Sequence, residues 1–328
     1  MQAFYADHFV LPLPEGHRFP MAKYAKLREC VRAEMPSVEF QEAIAARQSE
    51  LSLVHTVRYI NAVMEGTLTP SEQREIGFPW SFAMAERACR SVGATLQAAR
   101  AALGGGGVAA NLAGGTHHAY PDKGSGFCVF NDVAVTTRQM QLEYAARVGT
   151  RYGRKLNVAV VDLDVHQGDG TAFILGSDAN TFTLSVHGAK NFPVRKQKSH
   201  LDVELPDGCR DDDYLLALTL ALAQLDQRFE PDLLIFLAGA DPHEGDRLGR
   251  LALTDSGMQM RDRQVFDWAW QRRVPVAMVM AGGYGREIES TVRVQVNTYR
   301  IAMEYWERWQ HPASAAHAEC LSLTGTPT

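Results

Sequence analysis

From Val108 onward, short runs that read as strands alternate with longer stretches whose apolar positions recur at helical spacing. Val108 to Leu112, the run beginning at Val158, Thr181 to His187, Leu233 to Leu237 and Pro275 to Met280 read as strands. Val133 to Arg147, Asp211 to about Phe229, Ser256 to Arg273 and Ile288 to Trp309 read as helices. Continuous apolar runs rich in β-branched residues mark strands buried on both faces, and alternation with helices predicts a parallel sheet. Asp211, Asp212 and Asp213 place negative charge at the positive end of their helix.

The first third is less regular. Phe4 to Pro20 reads as a short strand and a turn-rich loop, Ala22 to Ala33 as a helix, and Val54 to Ile60 as the opening of another. Gly66 to Pro79 is polar and reads as a surface loop, and Ser81 to Leu103 as a helix. No repeat or low-complexity linker divides the chain.

Each strand from Val108 onward delivers polar or ionisable residues at its C-terminal end. In open α/β sheets that edge is where ligands bind. The run after Val158 continues as Asp162-Leu163-Asp164-Val165-His166-Gln167-Gly168-Asp169-Gly170. Burying so many carboxylates costs several kcal/mol per group, by a rough estimate, unless they are paired or hold a metal. Asp164 and His166, two apart on an extended segment, point the same way, and Asp241 arrives from another strand end. Two carboxylates and an imidazole leave a coordination position open, as in catalytic sites for a divalent ion such as zinc. His117 and His118 follow Gly114-Gly115-Thr116, and Asp162 and Asp169 are available to orient one imidazole each for acid–base chemistry. Tyr284, after Gly282-Gly283, offers a hydroxyl to a developing oxyanion.

With 328 residues the chain can form one large α/β domain or two smaller ones. Its net charge of -5 gives no footprint for direct nucleic-acid binding. Five scattered cysteines without a Cys-x-x-Cys pair argue for a reducing compartment. The N-terminal residues lack the profile of a secretory signal, and the uncharged stretch from Ala101 to Tyr120 is broken by glycines. A cytoplasmic protein without a membrane segment is expected.

Five motifs, taken in order, resemble the zinc-dependent histone deacetylase family. They are Gly114-Gly115-Thr116-His117-His118, Gly124-Ser125-Gly126-Phe127-Cys128, the run from Asp162 to Gly170, Gly239-Ala240-Asp241 and Gly282-Gly283-Tyr284. The similarity extends from about Phe4 to about Tyr305, and Glu244-Gly245-Asp246-Arg247-Leu248-Gly249 looks most like the class IV and related bacterial branch. The resemblance implies a single-domain arginase/deacetylase fold, with a parallel sheet of about eight strands and helices on both faces. It places a catalytic domain over 1–310, followed by a mobile tail at 311–328.

The resemblance further implies Zn²⁺ on Asp164, His166 and Asp241, His117 and His118 as the acid–base pair with Asp162 and Asp169 behind them, and Tyr284 polarising the amide carbonyl. It implies a structural K⁺ at Asp162, Asp164, His166, Ser185 and Val186. The acyl-lysine tunnel would be walled by Gly126, Phe127, Phe192 and Gly283, with Arg18 as a basic residue lining the inner cavity. The expected substrate is an acylated lysine in a peptide or protein, or else an acylpolyamine or other small acyl-amine.

The chain departs from the family pattern at Gln167, where many members carry histidine, and at Ala281, where many carry glycine. Glu75 is a candidate for the loop acid that holds the substrate backbone in some relatives. Lys190, Arg195, Lys196 and Lys198 read as a solvated loop, and His187 and His243 as structural histidines. A two-manganese ureohydrolase would need further carboxylates to bridge a metal pair. A non-catalytic acyl-lysine reader would not need His117, His118 and Tyr284.

Overall fold

The computed structural model describes residues 1–145 and 155–311. The end of the helix expected at Arg147 and all but the first residue of the expected tail lie outside these residues. The chain runs β1 (Gln2–Tyr5), α1 (Lys23–Glu34), β2 (Glu39–Glu42), α2 (Gln48–Leu51), α3 (Val57–Glu65), α4 (Pro70–Ile76) and α5 (Phe82–Ala101). It continues with β3 (Val108–Asn111), α6 (Asp132–Ala145), β4 (Val158–Asp162), α7 (Asp169–Leu175), β5 (Thr181–Gly188) and β6 (Leu201–Leu205). Last come α8 (Asp211–Arg228), β7 (Leu233–Leu237), α9 (Asp255–Gln271), β8 (Val276–Val279) and α10 (Ile288–Gln310).

The eight strands form one parallel sheet in the order β2-β1-β3-β8-β7-β4-β5-β6. Successive residues of a strand point to opposite faces, and the two cores divide accordingly. Ala159, Val161, Leu234, Phe236, Val276 and Met278 pack with α1, α8, α9 and α10. Val158, Val160, Leu233, Ile235, Ala277 and Val279 pack with α3, α5 and α6 on the other side. That is the expected architecture, with helices on both faces.

The expected loop from Gly66 to Pro79 contains α4 instead. Thr69 accepts from Glu72 N while Glu72 answers with its carboxylate, Pro70 occupies the first turn, and Gly77 ends the helix in a left-handed conformation. These cap signals outweigh a segment too short and polar to show helical periodicity. Edge strands β2 and β6 are partly polar and partly exposed, as edges tend to be. No helix among the described residues is long and apolar enough to cross a membrane.

Candidate active site

The ladder between β4 and β7 ends at Asp162 and Leu237. Past it the backbone folds onto its own carboxylates: Asp164 N donates to Asp162 Oδ1 (3.1 Å) and His166 N to Asp164 Oδ1 (2.9 Å). Asp241, beyond β7, accepts from Val165 N through Oδ1 (2.9 Å), and Asp164 Oδ2 accepts from Gly282 N (2.7 Å). The ligand atoms of Asp164, His166 and Asp241, all buried, lie within 4.8 Å of one another. His166 Nδ1 sits 2.9 Å from Asp164 Oδ1 and 3.2 Å from Asp241 Oδ2. Yet Asp241 Oδ2 makes no hydrogen bond although it is buried.

Burial and the neighbouring Asp164 carboxylate push Asp241 up to about 7. Burial disfavours charge on His166, but the adjoining Asp164 and Asp241 carboxylates raise it to about 10. Two facing carboxylates that strain to stay ionised together, one with an orphaned oxygen, fit a divalent cation, which would reverse these preferences. The site requires glycine at 282: a Cβ there would stand 2.0 Å from Asp241 Oδ2 and 2.5 Å from Asp164 Oδ2.

Beside this cluster, His117 Nδ1 lies 2.6 Å from Asp162 Oδ2, and His118 Nδ1 lies 2.6 Å from Asp169 Oδ1. Their Nε2 atoms are 3.2 Å apart. The loop that carries them turns through left-handed Gly114 and Gly115 and is pinned by buried Asp132, which accepts from Gly115 N, Thr116 N and the Thr116 hydroxyl. Burial disfavours charge on both rings. For His117 the Asp162 carboxylate wins and raises it to about 9. For His118 burial and the adjacent His117 charge win, lowering it to about 4 despite Asp169. The two imidazoles are thus pushed in opposite directions, His117 towards the charged form and His118 towards the neutral one. Asp169 also accepts from the Tyr120 hydroxyl (3.0 Å) and lines the outer mouth of the site, where Asp162 does not reach.

Tyr284 closes the far side. Its backbone is fixed by the segment that resembled the class IV branch: Tyr284 N donates to Asp246 Oδ2 (2.5 Å), and Arg247 Nε donates to Tyr284 O (3.0 Å). The phenol rises well above its ordinary range through burial and the Asp164 and Asp241 carboxylates, so it stays a donor. A cavity open at its mouth runs past these groups and is lined by Phe19, Phe78, Met84, Arg87, Phe127 and Tyr284 among others. Phe127 holds its place with a left-handed backbone (φ 65°), its N donating to Ile76 O (2.8 Å). Phe192 stands edge-on to His118 (ring centroids 4.8 Å apart), and Lys196 braces its loop by donating to Asn191 O and Pro193 O.

Not every expected residue joins this group. Arg18 is exposed, and its carbonyl accepts from Arg247. The basic residue that lines the cavity is instead Arg87, which donates to Ala6 O (3.3 Å) and Phe9 O (3.4 Å). Behind Tyr284 lies Lys23, fully buried among the rings of Phe19, Tyr24 and Tyr284 and donating to Gly283 O (3.2 Å). Its place on the inward face of α1 was the available signal, because a lysine one turn before Leu27 shares that buried stripe. Gly126 lines the cavity. Gly283 turns its carbonyl to Lys23, and a Cβ on it would stand 2.7 Å from Thr291 Cγ2 and 3.1 Å from Ala240 Cβ. Ser185 is the register partner of Asp162 across β4 and β5, with Val186 next to it. Glu75 sits at the mouth in an ion pair with Lys123 (2.5 Å). His243 accepts from Gly245 N, whereas His187 bonds Ser185 through Nδ1 and leaves Nε2 unpartnered.

The histone deacetylase domain model matches residues 17–298. An uncharacterized protein of Picosynechococcus sp. is 43% identical over 92% of this chain and 98% of its own length. Histone deacetylase 2 of Arabidopsis thaliana is 29% identical, covering 85% of this chain and 71% of its own length. The acetoin utilization protein AcuC of Bacillus subtilis is 36% identical over 64% of this chain and 57% of that protein. The crystal structure of an HDAC homolog complexed with SAHA superimposes with a TM-score of 0.77 at 23% identity, covering 92% of this chain and 84% of that one. With a domain match spanning most of the sheet and both strand ends that carry the cluster, the chain belongs to the histone deacetylase family.

Proposed function

We propose that this chain is a zinc-dependent amidohydrolase that removes an acyl group from the ε-amine of lysine in proteins or peptides. One observation carries the reading: two imidazoles, each backed by its own buried aspartate, face the Asp164–His166–Asp241 cluster beside the Tyr284 phenol. Asp164, His166 and Asp241 would hold Zn²⁺, which supplies a Lewis acid and a water of lowered pKa. Neutral His118 takes the proton of the attacking water and returns it to the leaving amine, while charged His117, held by Asp162, stabilises negative charge. Tyr284 donates to the carbonyl oxygen as charge develops there. Phe127 and Phe192 flank the acyl-lysine stem. Asp162, Asp164, His166, Ser185 and Val186, on adjoining ends of β4 and β5, would hold K⁺.

Glu75, occupied by Lys123, favours a second reading in which the substrate is a small acyl-amine. Purified protein assayed in parallel on lysine peptides with acyl chains of increasing length and on acetylated polyamines separates the two. Turnover of the polyamines alone would overturn the peptide reading, and no turnover of either would overturn the hydrolase.

Two variants probe the site directly. His118→Ala lowers kcat more than His117→Ala, by roughly 10²–10⁴ if it is the general base, with metal content equal in both. Kinetics beside metal analysis check this, and the reverse order would reassign the base. Gly282→Ala weakens zinc binding by at least ~10-fold, the scale of outer-sphere damage, because its methyl group would occupy space held by both carboxylates. Chelator competition measures it.

A further inference from the structure

β4 and β7 are in register from Val158 with Leu233 to Asp162 with Leu237, and one more bond, Leu163 N to Leu237 O (3.1 Å), closes the ladder. Beyond it the chains carry Asp164 and Asp241 towards one another, so carbonyls in these segments lose the sheet as a partner. Buried carbonyls need another donor. A single side chain from α9 supplies it. Arg261, fully buried, points Nη1 at Gly239 O (2.5 Å) and at Leu163 O (3.4 Å). Leu163 immediately precedes Asp164, and Gly239 lies two residues before Asp241. One guanidinium therefore spans the two strand ends that carry the two carboxylates of the cluster.

The guanidinium is itself held. Asp262 Oδ1 lies 2.8 Å from Nε and 2.7 Å from Nη2, and the Thr298 hydroxyl donates to Asp262 Oδ2 (2.6 Å). α9 packs with α8 and α10, whereas no residue of these three helices lines the cavity, so Arg261 cannot touch a substrate there. A buried ion pair is a poor source of stability, since apolar side chains of similar size often serve as well or better. What such side chains could not do is donate to both carbonyls.

We propose that Arg261 is a positioning residue that sets the separation of Asp164 and Asp241, and so the affinity and geometry of the metal site, with Asp262 and Thr298 fixing its orientation. The proposal rests on the metal reading above. Its test uses the double variant Arg261→Met/Asp262→Leu, which removes both charges together, and Arg261→Lys, which keeps the charge but not the planar fork. Three measurements are made on the full chain: melting of the metal-free protein, Zn²⁺ affinity by competition with a chromogenic chelator, and the ligand-field absorption spectrum with Co²⁺.

The double variant is expected to melt as a folded protein while Zn²⁺ affinity falls ~10–100-fold, the usual cost of losing an outer partner, and the Co²⁺ spectrum changes. Arg261→Lys should lie between it and the wild type. Wild-type affinity and spectrum in the folded double variant would overturn the proposal. Should that variant not fold, the same result in Arg261→Lys overturns it. A wild-type chain that binds neither ion, or binds it equally well as Asp241→Ala, removes the metal reading and this inference with it.

Discussion

Asp241→Ala is expected to leave a folded chain that retains neither zinc nor measurable hydrolysis. The side chain is fully buried, one oxygen accepts from Val165 N and the other has no hydrogen bond. Its removal leaves one carboxylate and one imidazole, and two protein ligands rarely hold a catalytic ion. Affinity should fall by more than the ~10–100-fold that follows loss of an outer partner. The same change removes a carboxyl that burial and the Asp164 charge push up to about 7, so thermal stability of the metal-free chain should suffer less than activity. Asp241→Asn is the companion: it keeps the bulk and an oxygen but not the charge. Metal analysis and turnover of both variants decide the matter, and full occupancy with full activity in Asp241→Ala would falsify the ligand assignment.

Tyr284→Phe is expected to keep metal and fold and to lose about 10²–10³ in kcat, the cost of one oxyanion donor. The backbone grip of Asp246 and Arg247 does not involve the phenol oxygen, so the ring of the variant should stay where it is. Burial and two nearby carboxylates keep the hydroxyl protonated far above neutral pH. The loss should therefore be the same across the working pH range and should appear in kcat more than in KM. Near-normal turnover would mean that the carbonyl is polarised without the tyrosine.

The sheet's centre was legible because β3, β4, β7 and β8 are largely apolar runs and β5 alternates apolar with polar residues, and their polar C-terminal ends pointed to the candidate site. The run Asp162 to Gly170 is dense enough in carboxylate and imidazole that its role as a cluster could be read without coordinates. What stayed hidden depends on tertiary contact. β2 and β6 are edge strands with polar residues, α4 is announced only by its caps, and Lys23 is marked only by sharing the buried stripe of α1 with Leu27, while the rings of Phe19 and Tyr284 come to it from other segments. Arg261 gave no signal either, since its partners are carbonyls, which every residue has.

The left-handed backbone at Phe127 ties the width of the channel to the strain of its loop. For a side chain with a Cβ, that conformation costs roughly 1–2 kcal/mol, and it is worst for β-branched residues. Valine or isoleucine at 127 would open space while aggravating the backbone, whereas glycine or asparagine would open space and relax it. A designer seeking a wider cavity therefore has a lopsided alphabet at this position, set by the main chain before any ligand is considered.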